Sequence, residues 1–336
     1  MKRIFFIMLL LVTFILADCV TQAEAAQVVK GDLKISMLNI GQGDAILIQT
    51  KEQTILIDTA VPKNHLTLVN ELEKLNVTKI DKLILTHPHA DHIGNAKMLI
   101  NPSNKELKAN PYLEKISVAE VYDNGIASGS PMYKNYLKAT ETKGITHRSL
   151  KAGDTLNFGS GVKFNVLFPT SEFITDLKNT KPKKRGREYN VNNRSIVGKL
   201  TYKKFSMMFT GDCEKESEAR ILADNNAKDL KCDVLKSGHH GAKTSSTEKF
   251  VKTISPNYVL ISSDNKKKNN IAIGFPKLEP LENYLAAGVD KSHILCTHWN
   301  GTITVVSDGK NFSVTPERKE DWIDKWIAQK KKDEKT

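Results

Sequence analysis

The sequence predicts an α/β fold in which helices cover sheets. Short Ile- and Leu-rich segments outnumber helical ones, helical segments recur between them, and Gly, Asn and charged residues mark the breaks. The chain has 336 residues, 40% of them hydrophobic, enough to bury a large core without disulfides and too apolar for wholesale disorder. One long apolar run, at the N-terminus, excludes a polytopic membrane protein. The 11 Pro and 19 Gly exclude a collagen-like or low-complexity chain.

Residues 1–25 read as a signal peptide. Lys2 and Arg3 precede an apolar run from Ile4 to Leu16, and Ala23-Glu24-Ala25 supplies small residues at cleavage spacing. The expectation is a secreted or cell-surface protein. Cys19 raises lipidation as an alternative, which Asp18 immediately before it disfavours.

Strands are expected at 33–40, 44–50 and 54–58, divided by Gly-Gln-Gly and Lys-Glu-Gln turns. Leu66, Val69, Leu72 and Leu75 recur at helical spacing over 65–75. A strand at 80–86 precedes a helix from about 92 to 100. An extended stretch at 116–122, a helix near 131–142, and strands near 162–168, 195–202 and 204–210 come next. A helix at 214–223, a strand at 231–235, a helix at 246–253 and a strand at 257–262 continue the alternation. A helix at 277–287, strands at 293–297, 301–306 and 311–314, and a polar helix from about Pro316 close it. The least ordered stretches are expected at 101–111, 178–193 and 265–270. Cys213, Cys232 and Cys296, none in a CxxC pair, read as small buried apolar residues.

The most informative segment is Thr86-His87-Pro88-His89-Ala90-Asp91-His92. Three of the chain's nine histidines and a carboxylate fall directly after a buried strand. Alternate residues of an extended loop point the same way, so His87 and His89 can grip one cation. Asp91 and His92 open the following helix and can reach a second. Imidazole and carboxylate donors suit zinc, manganese or iron.

These residues match the HxHxDH signature, and the chain resembles the metallo-β-lactamase superfamily. The resemblance implies a four-layer αββα sandwich over 31–315, with a polar C-terminal helix and tail at 316–336. It implies that Asp58 orients the metal loop by hydrogen bonding and that Asp212, in Thr210-Gly211-Asp212, bridges two cations. LNIGQGDAILIQT, TKIDKLILTHPHADHIGN, NNRSIVGKL, FTGD, CDVLKSGHHGAKTSS and GTITVVSDG, in that order, resemble the soluble hydrolase domain of the DNA-uptake competence protein ComEC. A bacterial phosphorylcholine esterase domain shares much of this pattern.

In that branch the stretch matching 192–195 carries no His, which implies that His240 completes the shell of the first metal. His239 then faces the substrate as a general acid or phosphate contact; the two assignments could be exchanged. The implied metal ligands are His87, His89, Asp91, His92, Asp212 and His240, and the residues serving catalysis are His239, Asp91 and Asp58. Relatives often have a GHP turn where this chain has Gly274-Phe275-Pro276. Asp264 or His298 could replace that His, or the second site is weak or empty.

Two neighbouring divalent cations, zinc or manganese, would bring the pKa of bound water to roughly 7 and supply a hydroxide nucleophile. The Gly-Gln-Gly-Asp-Ala stretch at 41–45 lacks the Lys-Ser/Thr of a phosphate-cradling loop and reads as a tight hairpin turn. A net charge of +12 favours an anionic substrate such as DNA or another phosphodiester, and the basic runs 181–187 and 266–268 are its densest sources. Trp299 and Tyr189 could stack on bases, although packing is their commoner use. The leading reading is an exported nuclease. The alternatives are a small-molecule or cell-wall phosphodiesterase and an inactive basic nucleic-acid-binding module. No protein partner is evident, and a monomer is expected.

Overall fold

The computed structural model describes residues 31–333 apart from 265–266, 269–270 and 273; of 267–268 and 271–272 it describes the backbone alone. The expected signal peptide and Cys19 lie outside the described residues, as does most of the 265–270 stretch. Among the described residues no helix is long and apolar enough to cross a membrane.

Two sheets face each other. The first has eight strands in spatial order Phe312–Pro316, Ile303–Ser307, Leu33–Met37, Ile46–Gln49, Thr54–Ile57, Lys79–Ile84, Ser117–Asp123 and Thr146–Ser149. The second has seven: Ile294–Cys296, Tyr258–Ile261, Val234–Lys236, Phe205–Phe209, Val197–Tyr202, Val162–Phe168 and Thr155–Asn157. Between them lies one apolar layer that includes Ile35, Ile48, Ile57, Phe164, Leu200, Met207 and Leu260. Helices His65–Lys74, Ala96–Ile100 and Pro131–Thr142 cover the outer face of the first sheet. Helices Ser171–Asn179, Lys215–Asp224, Glu248–Ile254, Leu278–Ala286 and Ile323–Asp333 cover that of the second. The strands near the centre read as nearly continuous apolar runs because both of their faces are covered. The result is the expected αββα sandwich.

The strands that matter for the site are parallel. Thr54–Ile57 pairs in parallel with Lys79–Ile84, and Phe205–Phe209 with Val234–Lys236. Parallel strands bring their carboxyl ends to one edge, so the segments that follow them converge there.

Several elements differ from expectation. The helix expected over 92–100 is two, Ala90–Ile93 and Ala96–Ile100. Between them Asn95 turns its amide inward, donating to the Thr59 carbonyl at 2.7 Å and the Val61 carbonyl at 2.9 Å. The stretch 101–111 holds helix Asn104–Ala109, closed by a capping box in which Ser103 and Glu106 satisfy each other's backbone. Helix Ser171–Asn179 and strands Thr146–Ser149 and Thr155–Asn157 were not expected. The last strand runs through Pro316, and the final helix begins at Ile323 rather than near Pro316. That helix is not wholly polar, because Trp322 and Ile323 are buried at its start and Trp322 stacks on Trp299 with ring centroids 4.3 Å apart. Trp299 is thereby used in packing, as is Tyr189, which meets Phe173. Cys213, Cys232 and Cys296 are free and buried, and burial pushes the Cys232 and Cys296 thiols up to about 12.

Candidate metal centre

Five segments meet at the shared edge. Asp58 follows strand Thr54–Ile57, residues 86–92 follow Lys79–Ile84, Asp212 follows Phe205–Phe209, and His239 and His240 follow Val234–Lys236. Ser195 enters just before Val197–Tyr202. The backbone there is unusual: Asp58, His239 and His240 hold φ of 61°, 46° and 55°. Left-handed backbone at such residues costs on the order of 1–3 kcal/mol each and persists where surrounding structure enforces it, often at functional sites.

All eight residues expected at the site lie at this edge. Asp91, His92, Asp212 and His240 form one set of donors, and His87, His89 and Asp212 another. In each set one ligand atom per residue lies within 4.8 Å of the others. Asp212 belongs to both. Its Oδ2 lies 3.1 Å from His92 Nε2 and 3.8 Å from His87 Nε2, and its Oδ1 lies 3.5 Å from His240 Nε2. His240 Nε2 is also 3.3 Å from Asp91 Oδ2.

One detail differs from expectation: His240 lies with Asp91 and His92 rather than with His87 and His89. His239 Nε2 lies 3.8 Å from Asp212 Oδ2. Asp264 and His298, the candidates to replace the GHP histidine, face each other at 3.3 Å and belong to neither set.

The Nδ1 atoms of His92, His240 and His87 each have a partner, and His87 Nε2 lies 3.0 Å from His89 Nδ1. His92 Nδ1 donates to Asp58 Oδ2 at 2.7 Å, and Asp58 is itself held by the Thr86 backbone N–H at 2.8 Å and the Thr86 hydroxyl at 2.7 Å. His240 Nδ1 donates to the Ser262 carbonyl at 2.8 Å. His87 Nδ1 meets the Ser195 hydroxyl at 3.2 Å. Such partners fix tautomer and ring orientation at metal sites. Among the described residues, His92 Nε2, His240 Nε2 and Asp212 Oδ1 are buried without a hydrogen-bond partner. Buried polar atoms are normally satisfied, so three converging orphans fit a cation held among them. The donors, imidazole and carboxylate, suit zinc or manganese.

Charge in the site is strongly coupled. Burial opposes the charge on Asp212, but His240, His92 and His87 outweigh it and hold the carboxyl well below its ordinary range. Burial, reinforced by His92, pushes His87 well below the ordinary imidazole value, leaving a neutral donor. Burial also opposes charge on His92, yet Asp212, Asp58 and Asp91 hold it well above.

The sequence reading missed two charged residues. Asp44 and Lys236 are fully buried, and Lys236 Nζ lies 2.6 Å from Asp44 Oδ2 while donating to the Gly211 carbonyl at 2.7 Å. Nζ is also 3.9 Å from Asp212 Oδ1. Burial lowers the Lys236 pKa, but Asp44 and Asp212 outweigh it and the net shift is upward. Asp44 sits in the stretch expected to be a tight hairpin turn. Met37 in fact pairs with Ile46, so 38–45 forms a broad loop that carries Asp44 inward. Gly43 makes this possible, with φ 111° and a position where a Cβ would lie 2.3 Å from the Asp91 carbonyl oxygen.

His239 is one quarter exposed and faces two walls. Its Nδ1 lies 3.3 Å from Glu214 Oε1, 3.2 Å from the Thr244 hydroxyl and 3.3 Å from Asn192 Nδ2. Burial of Glu214 opposes its charge, but hydrogen bonds from His239, Asn192 and Asn190 bring it down to about 2. On the other side Phe275 lies with its ring centroid 6.1 Å from that of His239 and 6.5 Å from that of His240.

The fold is an αββα sandwich in which one carboxylate is shared by two histidine-rich donor sets. Residues 38–160 match the metallo-beta-lactamase superfamily. The chain is 29% identical over 255 residues to ComE operon protein 3 of Bacillus subtilis (strain 168), covering 70% of this chain and 29% of that protein. It is 28% identical over 253 residues to Recombination protein 2 of Haemophilus influenzae, covering 73% of this chain and 26% of that protein. The chain thus spans less than a third of either relative, and these relatives bear out the ComEC resemblance read from the motifs. Among solved structures, the metallo-beta-lactamase fold protein YhfI from Bacillus subtilis superposes with a TM-score of 0.48 at 13% identity, covering 81% of this chain and 98% of that one.

Proposed function

We propose that this protein is an exported, metal-dependent phosphodiesterase, and in particular a nuclease acting on DNA. The observation that carries the hydrolase chemistry is the position of Asp212 between the two donor sets, with buried ligand atoms left unpartnered around it. His87, His89 and Asp212 would hold one divalent cation, and Asp91, His92, Asp212 and His240 a second. Bound there, zinc or manganese would supply a water of pKa near 7 and offset charge developing on a phosphoryl oxygen.

The chain's own residues do the rest. Asp58, Ser195 and the Ser262 carbonyl orient the imidazoles. Asp44 and Lys236 fix the Gly211-Asp212 turn from beneath. His239, partly exposed beside Asp212 and braced at Nδ1 by Glu214, is placed to give a proton to a leaving oxygen from Nε2. Names that refer to competence and recombination among the relatives, together with the +12 charge, support DNA as substrate. Export rests on the 1–25 segment.

The test is cleavage of an end-labelled DNA strand by purified protein with zinc or manganese, beside a panel of small chromogenic phosphodiesters. The nuclease reading predicts metal-dependent cleavage that His89→Ala abolishes. No cleavage of DNA with either metal would overturn it, and rapid turnover of a small diester without DNA cleavage would favour the small-molecule phosphodiesterase.

A further inference from the structure

We propose that the two walls beside His239 form a track for one nucleic-acid strand, with an unpaired base stacked on Phe275 and the neighbouring phosphates held by the 181–187 run. The proposal rests on the nucleic-acid reading above and assigns residues that the metal chemistry leaves unused.

The first wall is aromatic. Phe275 is half-buried, and its ring centroid lies 6.1 Å from that of His239 and 6.5 Å from that of His240. Lys277 Nζ sits over the same ring, 5.2 Å from its centroid. The Trp326 indole N–H donates to the Pro276 carbonyl at 2.8 Å and the Lys277 backbone N–H to the Gly241 carbonyl at 2.8 Å, which hold this segment against the histidine turn.

The second wall mixes charge, with Glu214 nearest His239 and basic residues beyond it. Arg187 reaches Glu214 at 3.6 Å and Glu216 at 3.8 Å, and Glu214 in turn contacts His239 at 3.3 Å, so an exposed guanidinium stands one carboxylate away from the imidazole. Lys181, Lys183 and Lys184 precede it on exposed backbone turns. A base has a π-face whatever its identity, so an aromatic platform with cations around it binds strands with little sequence preference. Leu66 is the only exposed large apolar side chain among the described residues.

Fluorescence anisotropy of a labelled 12-nucleotide single strand, measured in EDTA so that nothing is cut, tests the track separately from hydrolysis. The same strand made abasic is the second probe. Wild-type protein should bind the base-bearing strand at least fivefold more tightly than the abasic one. Phe275→Ala should abolish that difference and Phe275→Trp restore it. Joint Ala replacement of Lys181, Lys183 and Lys184 should reduce the slope of log affinity against log salt by about 2, following roughly 0.7 per phosphate contact on single strands. The same replacement at Lys330, Lys331 and Lys332 should leave the slope within about 0.5 of wild type. Equal wild-type affinity for both probes, or equal slope changes in the two triple variants, would overturn the track. DNA cleavage alongside equal binding of the base-bearing and abasic strands would refute the track and leave the nuclease reading intact. Base-selective binding without cleavage would do the reverse.

Discussion

Asp58 Oδ2 lies 2.7 Å from His92 Nδ1, and neither side chain is exposed to solvent. The contact places the His92 proton on Nδ1 and turns Nε2 toward Asp212. Asp58→Asn keeps the shape and tolerates φ near 61° as Asp does, but it cannot accept from His92 and from both Thr86 donors together. It should lower zinc affinity by about 10–100-fold with little change in fold, as loss of such orienting partners typically does. Isothermal titration of metal-stripped protein checks this, and unchanged affinity would remove Asp58 from the orienting role.

Lys236 and Asp44 form a buried pair at 2.6 Å. Lys236→Met removes the direct partner of buried Asp44, leaving only His240 Nδ1 at 3.5 Å and His92 Nδ1 at 3.8 Å among the described residues, and should cost about 3–5 kcal/mol in urea unfolding. Adding Asp44→Asn to the same chain should recover part of that loss. A cost below about 1 kcal/mol would mean that water reaches the pair.

Gly43 stands where any Cβ would meet the Asp91 carbonyl oxygen at 2.3 Å, on backbone with φ 111°. Gly43→Ala should therefore destabilise by about 1–3 kcal/mol and weaken zinc binding as the Asp91 backbone shifts. Gly129→Ala, where a Cβ meets nothing within 4 Å, should stay within about 0.5 kcal/mol of wild type. Thermal unfolding of both variants separates local crowding from a general intolerance of Gly replacement.

Glu218 is fully buried, accepting the backbone N–H groups of Ser246 and Thr247 and the Thr247 hydroxyl. Burial raises its pKa to about 7 against these hydrogen bonds, from 4.5. The folded state therefore keeps its proton longer than the unfolded chain. That contribution is fully present below pH about 4.5 and is lost as pH rises through about 7, a swing of about 3 kcal/mol. Glu218→Gln cannot titrate, so its stability relative to wild type should rise between pH 5 and pH 7.5. A constant difference in urea midpoint across that range would contradict the assignment.

The metal loop was legible because its chemistry is local: His87, His89, Asp91 and His92 fall within six residues after an apolar strand. Asp212, His239 and His240 came from motif resemblance, and which set His240 joins did not. That choice depends on two successive left-handed residues, which no side-chain pattern announces. Asp44 and Lys236 were missed because each sits in a segment otherwise read as turn or strand, and only the meeting of two sheets pairs them. Strand Thr146–Ser149 left no signal because all four residues are exposed and no apolar alternation marks it. Helix Asn104–Ala109 did leave one, the Ser103 and Glu106 capping box, obscured by its charged composition.

Anomalous diffraction from crystals soaked in zinc or manganese bears most directly on the shared carboxylate. Two peaks about 3.5–4 Å apart are predicted, with one Asp212 oxygen about 2.0–2.2 Å from each when zinc is bound, His87 and His89 on one side and Asp91, His92 and His240 on the other. A single peak, or metal bound away from Asp212, would contradict the two-cation site.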